Sequence, residues 1–184
     1  MPGSNKVKFN IHNVHYAVKT GDDTYSTPVA IPGAVSISLE QQGELSPFYA
    51  DGIKYYVSAT NGGYEGDLEM ALITDDFRTD VLGETLDTNK VLVENTNTPT
   101  VEFALGFDID GDVETTKFWF YNCTATRPSI EAETNEDTIE PQTDTLTVSC
   151  APNSAGLVRA KTTSETEDAV LTAWYTNVYT EEGA

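Results

Sequence analysis

A chain of 184 residues that is 39% hydrophobic, with nine Tyr and seven Phe, can bury a core without disulfides or metals and is too aromatic to stay disordered. Ten Lys and Arg against thirty Asp and Glu leave a formal net charge of −20, which repels phosphates and disfavours a nucleic-acid-reading role. No apolar run has the length of a membrane span, and Met1 to Lys6 lacks the apolar stretch of a signal peptide.

In chain order, Val7, Phe9 and Ile11 alternate with polar residues, and Val14, Tyr16 and Val18 fall on the other set, so a first strand breaks or bulges near Asn13. Gly21-Asp22-Asp23 turns, and the prolines at 28 and 32 confine Thr27 to Gly33 to an edge. Val35, Ile37 and Leu39 share one face of a second strand. Gln41 to Gly52 reads as a long polar loop that nevertheless carries Leu45, Phe48 and Tyr49, and loops of that length inside a domain tend to be functional. Ile53 to Ser58 and Tyr64 to Ile73 are strands, the latter with Leu68, Met70 and Leu72 on one face. Over 74–83 the period changes: Thr74 caps a short helix, Asp75 and Asp76 suit its positive end, and Gly83 its exit. Lys90 to Glu94 suggests a short strand.

Val101 to Cys150 is the main meander, with alternating runs around Phe103–Phe107, Lys117–Thr126 and Thr145–Cys150. Asp110-Gly111 gives a hairpin signal. Val170, Trp174 and Val178 recur every four residues behind Ser164–Glu167, which has capping-box spacing, so a second helix is expected over about 166–177, with a terminal strand as the alternative. The expectation is a mainly β single domain over 1–184 with one or two short helices on its flank, an N-terminal arm at about 1–6 and a C-terminal tail at about 179–184.

Chemistry finds little support. Asp108-Ile109-Asp110-Gly111-Asp112 spaces carboxylates like the start of a calcium loop, but Gly stands fourth and Trp119 occupies the twelfth place, so a hairpin turn is the reading. His12 and His15, three apart on a strand, are expected on opposite faces and so make no metal pair. Cys123 and Cys150 lie on different strands and are expected to be reduced and packed as small apolar residues. No nucleophile elbow, catalytic-Cys signature or phosphate-cradling glycine loop occurs, so no catalytic, cofactor or metal residue is assigned.

Several strings in order carry a resemblance: Val14–Val18 (VHYAV), Pro32–Val35 (PGAV), Ser46–Asp51 (SPFYAD), Phe77–Gly83 (FRTDVLG), Tyr121–Cys123 (YNC), Arg127–Ser129 (RPS) and Ile139–Thr143 (IEPQT). Together they resemble the major tail proteins of long-tailed, non-contractile phages of Gram-positive hosts, the tail tube family, over nearly the whole chain. The resemblance implies an antiparallel β-sandwich or barrel of two sheets, and hexameric rings that stack into a hollow tube. The tube belongs to the virion and is assembled in the host cytoplasm. DNA passes through its lumen without sequence-specific binding, and tape-measure, terminator and distal tail proteins are its partners. It places the family's stacking loop at about Gln41 to Gly52, with Leu45, Phe48 and Tyr49 as ring contacts; the alternative is that these side chains cover their own core.

Lys6, Lys8 and Tyr179, in terminal segments that a neighbour could order, are further contact candidates. Glu131, Glu133, Glu136, Asp137 and Glu140 are candidates to face the lumen, a solvated outer loop being the alternative. Two other functions stay open. One is a β-sandwich module that binds a carbohydrate or host surface through Tyr55, Tyr56 and Tyr64; the other is a ring-forming tail terminator or capsid decoration protein.

Overall fold

The computed structural model of the chain describes residues 4–134 and 141–181. Its strands are β1 (Lys8–Gly21), β2 (Thr24–Tyr25), β3 (Val29–Ile31), β4 (Ala34–Gln42), β5 (Leu45–Ala50), β6 (Ile53–Ala59), β7 (Gly63–Met70), β8 (Thr85–Leu86), β9 (Leu92–Val93), β10 (Phe103–Gly111), β11 (Thr115–Ala125), β12 (Asp144–Ala151) and β13 (Arg159–Lys161). Helices α1 (Asp75–Asp80) and α2 (Asp168–Ala173) are short. The class is mainly β and antiparallel with two flanking helices, as the period-two runs predict.

Nine strands form one sheet whose path runs β2-β1-β10-β11-β12-β7-β4, with β3 beside β1 and β13 beside β11. The ribbons β5-β6 and β8-β9 stand apart from it. The layers arise because the large sheet curls over its own core. Ile11 of β1 and Ile37 and Leu39 of β4, at opposite ends of the path, pack on the same apolar cluster. Side chains of Lys8 to Ile11 and Val35 to Ile37 line one shared cavity.

The inward set is the one the alternation picks out: Val14 and Tyr16, Leu68 and Met70, Phe103 and Leu105, Leu146 and Val148. Helix α1 plugs this core with Phe77, whose ring meets Tyr16 and Phe103 edge-on at 5.1 and 5.5 Å. Thr74 Oγ1 accepts the Phe77 N–H at 3.3 Å, and Gly83 leaves the helix at φ +75°, as the sequence predicts. Cys123 and Cys150 are free, buried and directly opposite each other on β11 and β12, and burial pushes the Cys123 thiol up.

The outer face of β1, β10 and β11 is buried as well, which explains why Phe118 to Tyr121 is apolar without a break. Ala17, Ala104, Trp119 and Tyr121 lie beneath Trp174 and Val178 from the C-terminal segment. Trp119 Nε1 donates to the Trp174 carbonyl at 3.0 Å. The indole lies across Gly106, where a Cβ would stand 2.8 Å from the ring.

Four expectations are corrected. Gln41 to Gly52 is not a loop: it holds the end of β4 and all of β5. Helix α2 covers 168–173 instead of 166–177, and Glu167 makes no side-chain cap bond; Thr163 N–H donates to Thr166 Oγ1 instead. Gly111 is still paired, to Lys8, so the β10–β11 reversal falls at 112–114 and closes through Gly111 N–H to the Glu114 carbonyl at 3.0 Å. Lastly, the bulge near Asn13 is real, with φ +57° and a register shift between His12 and His15, but it adds a residue to the count. His12 pairs with Asp108 and His15 with Gly106, two residues apart on β10, so the two imidazoles share one face.

Candidate assembly surface

The β5–β6 ribbon continues the β4–β7 pairing beyond the body of the sheet. Register runs from Ala34–Met70 to Gln42–Gly63, then through Thr60 N–H to the Glu44 carbonyl, then from Leu45–Ala59 to Ala50–Ile53. Asp51 (φ +53°) and Gly52 (φ +78°) form the two-residue turn at the tip, the conformation that matches the twist of a hairpin. Among the described residues, no third strand pairs with this ribbon. Both of its faces are open: Phe48 is 60% and Tyr55 71% exposed, and Leu45, Tyr49, Ile53 and Tyr56 are similarly bare. A two-stranded hairpin alone in water is marginal, and contiguous exposed apolar surface of this kind is unusual on a monomer.

Of the residues singled out in the sequence, Leu45, Phe48 and Tyr49 therefore come together on this ribbon, outside both apolar clusters of the body. Tyr55 and Tyr56 join them. Tyr64 does not: it lies edge-on to Phe120 at 5.3 Å, so the three tyrosines form no single platform. Tyr179 stacks on Trp174 at 5.2 Å in its own chain. Lys6 and Lys8 are exposed, but the arm that carries them is pinned. Asn5 Oδ1 accepts the Val113 and Glu114 N–H groups at 3.0 and 2.9 Å, and Asp112 Oδ1 accepts the Lys6 N–H at 2.7 Å. Glu131 and Glu133 are exposed on the segment after β11, whose start is anchored by Arg127 to the Leu82 and Thr98 carbonyls. Glu136, Asp137 and Glu140 lie outside the described residues.

A second surface escaped the sequence reading. On β7, Glu65, Asp67 and Glu69 share the face opposite Leu68 and Met70, and Glu40 of β4 stands directly across from Glu65. Strands β4, β7 and β12 contain no Lys or Arg, so this face carries four carboxylates among Ser and Thr. Like charges directly opposite destabilise a sheet. Farther along the face, Thr143 and Ser36 donate to Glu69 at 2.7 and 2.8 Å and hold its carboxyl below the usual range. The i, i+2 acids in Tyr-Glu-Gly-Asp-Leu-Glu-Met were the available signal.

A polar network ties the C-terminal segment to the sheet. Asp108, buried and on the face of β10 shared by the two histidines, accepts from Lys117 Nζ and Asn13 Nδ2 at 3.0 Å each, and from the Tyr175 hydroxyl at 2.5 Å. His15 stacks on Tyr175 at 4.0 Å. Burial, then the hydrogen bond to Asp108 and its charge, pushes the Tyr175 hydroxyl well up, and burial holds His15 below its ordinary value. Both carboxylate oxygens accept from donors of this chain, so the network docks the segment that follows α2 onto the sheet. Among the described residues no group of three or more His, Cys, Asp or Glu side chains could hold a metal ion, and no helix is long and apolar enough to cross a membrane.

A scan against models of known protein families finds no match, and a search of curated proteins finds none either.

Proposed function

We propose that this chain is a structural subunit that polymerises into stacked, hexameric rings forming the tube of a phage tail. The observation that carries the reading is the projecting ribbon. Its aromatic side chains are bare on both faces, and a neighbouring copy would cover them and complete the two-stranded sheet. Repetition of one such contact around an axis closes a ring, and repetition along it stacks rings. The carboxylate face of β4 and β7 suits a wall past which DNA must slide, since it carries four acids and no cation. In this reading tape-measure, terminator and distal tail proteins meet the ends of the tube.

Imaging the purified protein by negative-stain electron microscopy tests the proposal. Rings or tubes with a central channel are expected. A strictly monomeric species at high concentration in every salt condition would overturn it and leave the exposed Tyr55 and Tyr56 to the binding-module reading.

A further inference from the structure

Only ten cations serve this chain, and their distribution is uneven. Lys19, Arg78, Lys117 and Arg127 are ion-paired within the body. Of the six with no ion pair among the described residues, four line a single cleft: Lys6, Lys8, Arg159 and Lys161. The cleft has a volume of about 450 Å³ and an apolar floor that includes Val7 and Phe118. Its one carboxylate, Asp110, is already engaged by His12 and Thr115, both at 2.9 Å.

The cations are brought together by rigid elements. The Asn5 clamp fixes Lys6 and Lys8 against the β10–β11 reversal, and pairing of β13 with Phe118 to Phe120 sets Arg159 and Lys161 opposite. Arg159 and Lys161 sit 5.9 and 6.0 Å from the Phe118 ring centre. Gathering like charges is unfavourable unless an anion joins them.

We propose that this cleft is a carboxylate-binding site, and that its occupant is the acidic segment of a second copy of the chain around Ile130, Glu131 and Glu133. The segment has the complementary chemistry. It belongs to no helix or strand, both glutamates are exposed, and Ile130 is 97% exposed between them and the anchored Arg127. Ile130 meets the Val7 and Phe118 floor, and the two carboxylates meet the four cations. Arg159 adds a planar, two-pronged donor suited to a carboxylate.

Cleft and segment leave opposite ends of β11, and the nine strand steps from Thr116 to Ala125 separate them by about 30 Å. The contact joins two different patches of the chain, so repeated head to tail it closes a ring or builds a stack, whereas reciprocal exchange closes a two-fold pair. The inference rests on the self-assembly reading, but its contact is independent of the ribbon.

Carbodiimide cross-linking of the full chain, followed by mass spectrometry of the dimer band, tests it. Amide links from Lys6, Lys8 or Lys161 to Glu131 or Glu133 between copies are expected. The variant R159E/K161E and the variant E131K/E133K should each lose these dimers by about tenfold or more, and the variant carrying all four changes should regain part of the contact, since the two reversed pairs attract again. Regain is read as the dimer band itself, in cross-linking by a reagent that joins lysines.

The same links confined to one chain would overturn the proposal. So would links only to the Glu65–Glu69 face, or retention of short duplex DNA by the cleft that R159E/K161E abolishes. Tubes without these cross-links would overturn the cleft contact and leave the ribbon reading standing. Cross-linked dimers without tubes would do the reverse.

Discussion

Among the described residues, Asp108 and Lys117 are the one charge pair whose acid lies at the sheet–helix junction with almost no exposure, 3% for its side chain. Removing a partner from such a pair leaves an unmatched charge where solvent cannot relax around it. Lys117→Met should therefore destabilise the fold by about 3 kcal/mol, read as a lower denaturant midpoint at unchanged slope. His15 adds a pH dependence of defined sign. Its folded value lies below the unfolded one, so the unfolded chain takes up more protons as pH falls below about 6.5 and stability drops with it. Between neutral pH and about pH 5 the wild type should lose more stability than His15→Phe, which keeps the stack on Tyr175 without titrating. Equal losses would remove His15 from the account. The bulge that places His15 was legible as a break in alternation at Asn13. Its consequence, two histidines on one face, was not, because a bulge changes the count only once the partner register is known.

Among the elements, the strands with one buried face were readable because period two survives in them: Val14 and Tyr16, Leu68 and Met70, Leu146 and Val148 all fall inward as expected. The β5 strand was not readable for the opposite reason. Both of its faces are bare, so Leu-Ser-Pro-Phe-Tyr-Ala has no in–out pattern, and Pro47 demotes a strand reading further. The curl of the large sheet was equally hidden, since it depends on which edges meet. Helix α2 fell short of its expected span because Trp174 and Val178 reach the outer core from turns as well as from a longer helix.

Two substitutions follow at this scale. Gly106→Ala forces a methyl against the Trp119 ring and should cost about 1–3 kcal/mol, measured by thermal or denaturant unfolding. Phe48→Ala with Tyr49→Ala should change stability by no more than about 1 kcal/mol, since neither side chain packs on the body, while polymerisation followed by light scattering falls sharply. Unfolding of that double variant would return Phe48 and Tyr49 to a core-covering role.

For the whole molecule, the three surfaces divide the labour. The outer face of β1, β10 and β11 is closed by the chain's own C-terminal segment. The outer face of β4 and β7 is acidic, and the ribbon that extends those two strands is aromatic and bare. A monomer with this distribution carries apolar surface it does not need for its own core, and the proposed assembly would give that surface a partner. The central claim is that the ribbon drives assembly while the body folds without it. The direct test replaces residues 45–59 by a short glycine-containing turn joining the ends of β4 and β7, and compares the variant with the wild type by sedimentation and electron microscopy. The account predicts rings or tubes from the wild type and, from the variant, a folded protein that forms neither, with unfolding close to that of the wild type. A variant that assembles as the wild type does would contradict it.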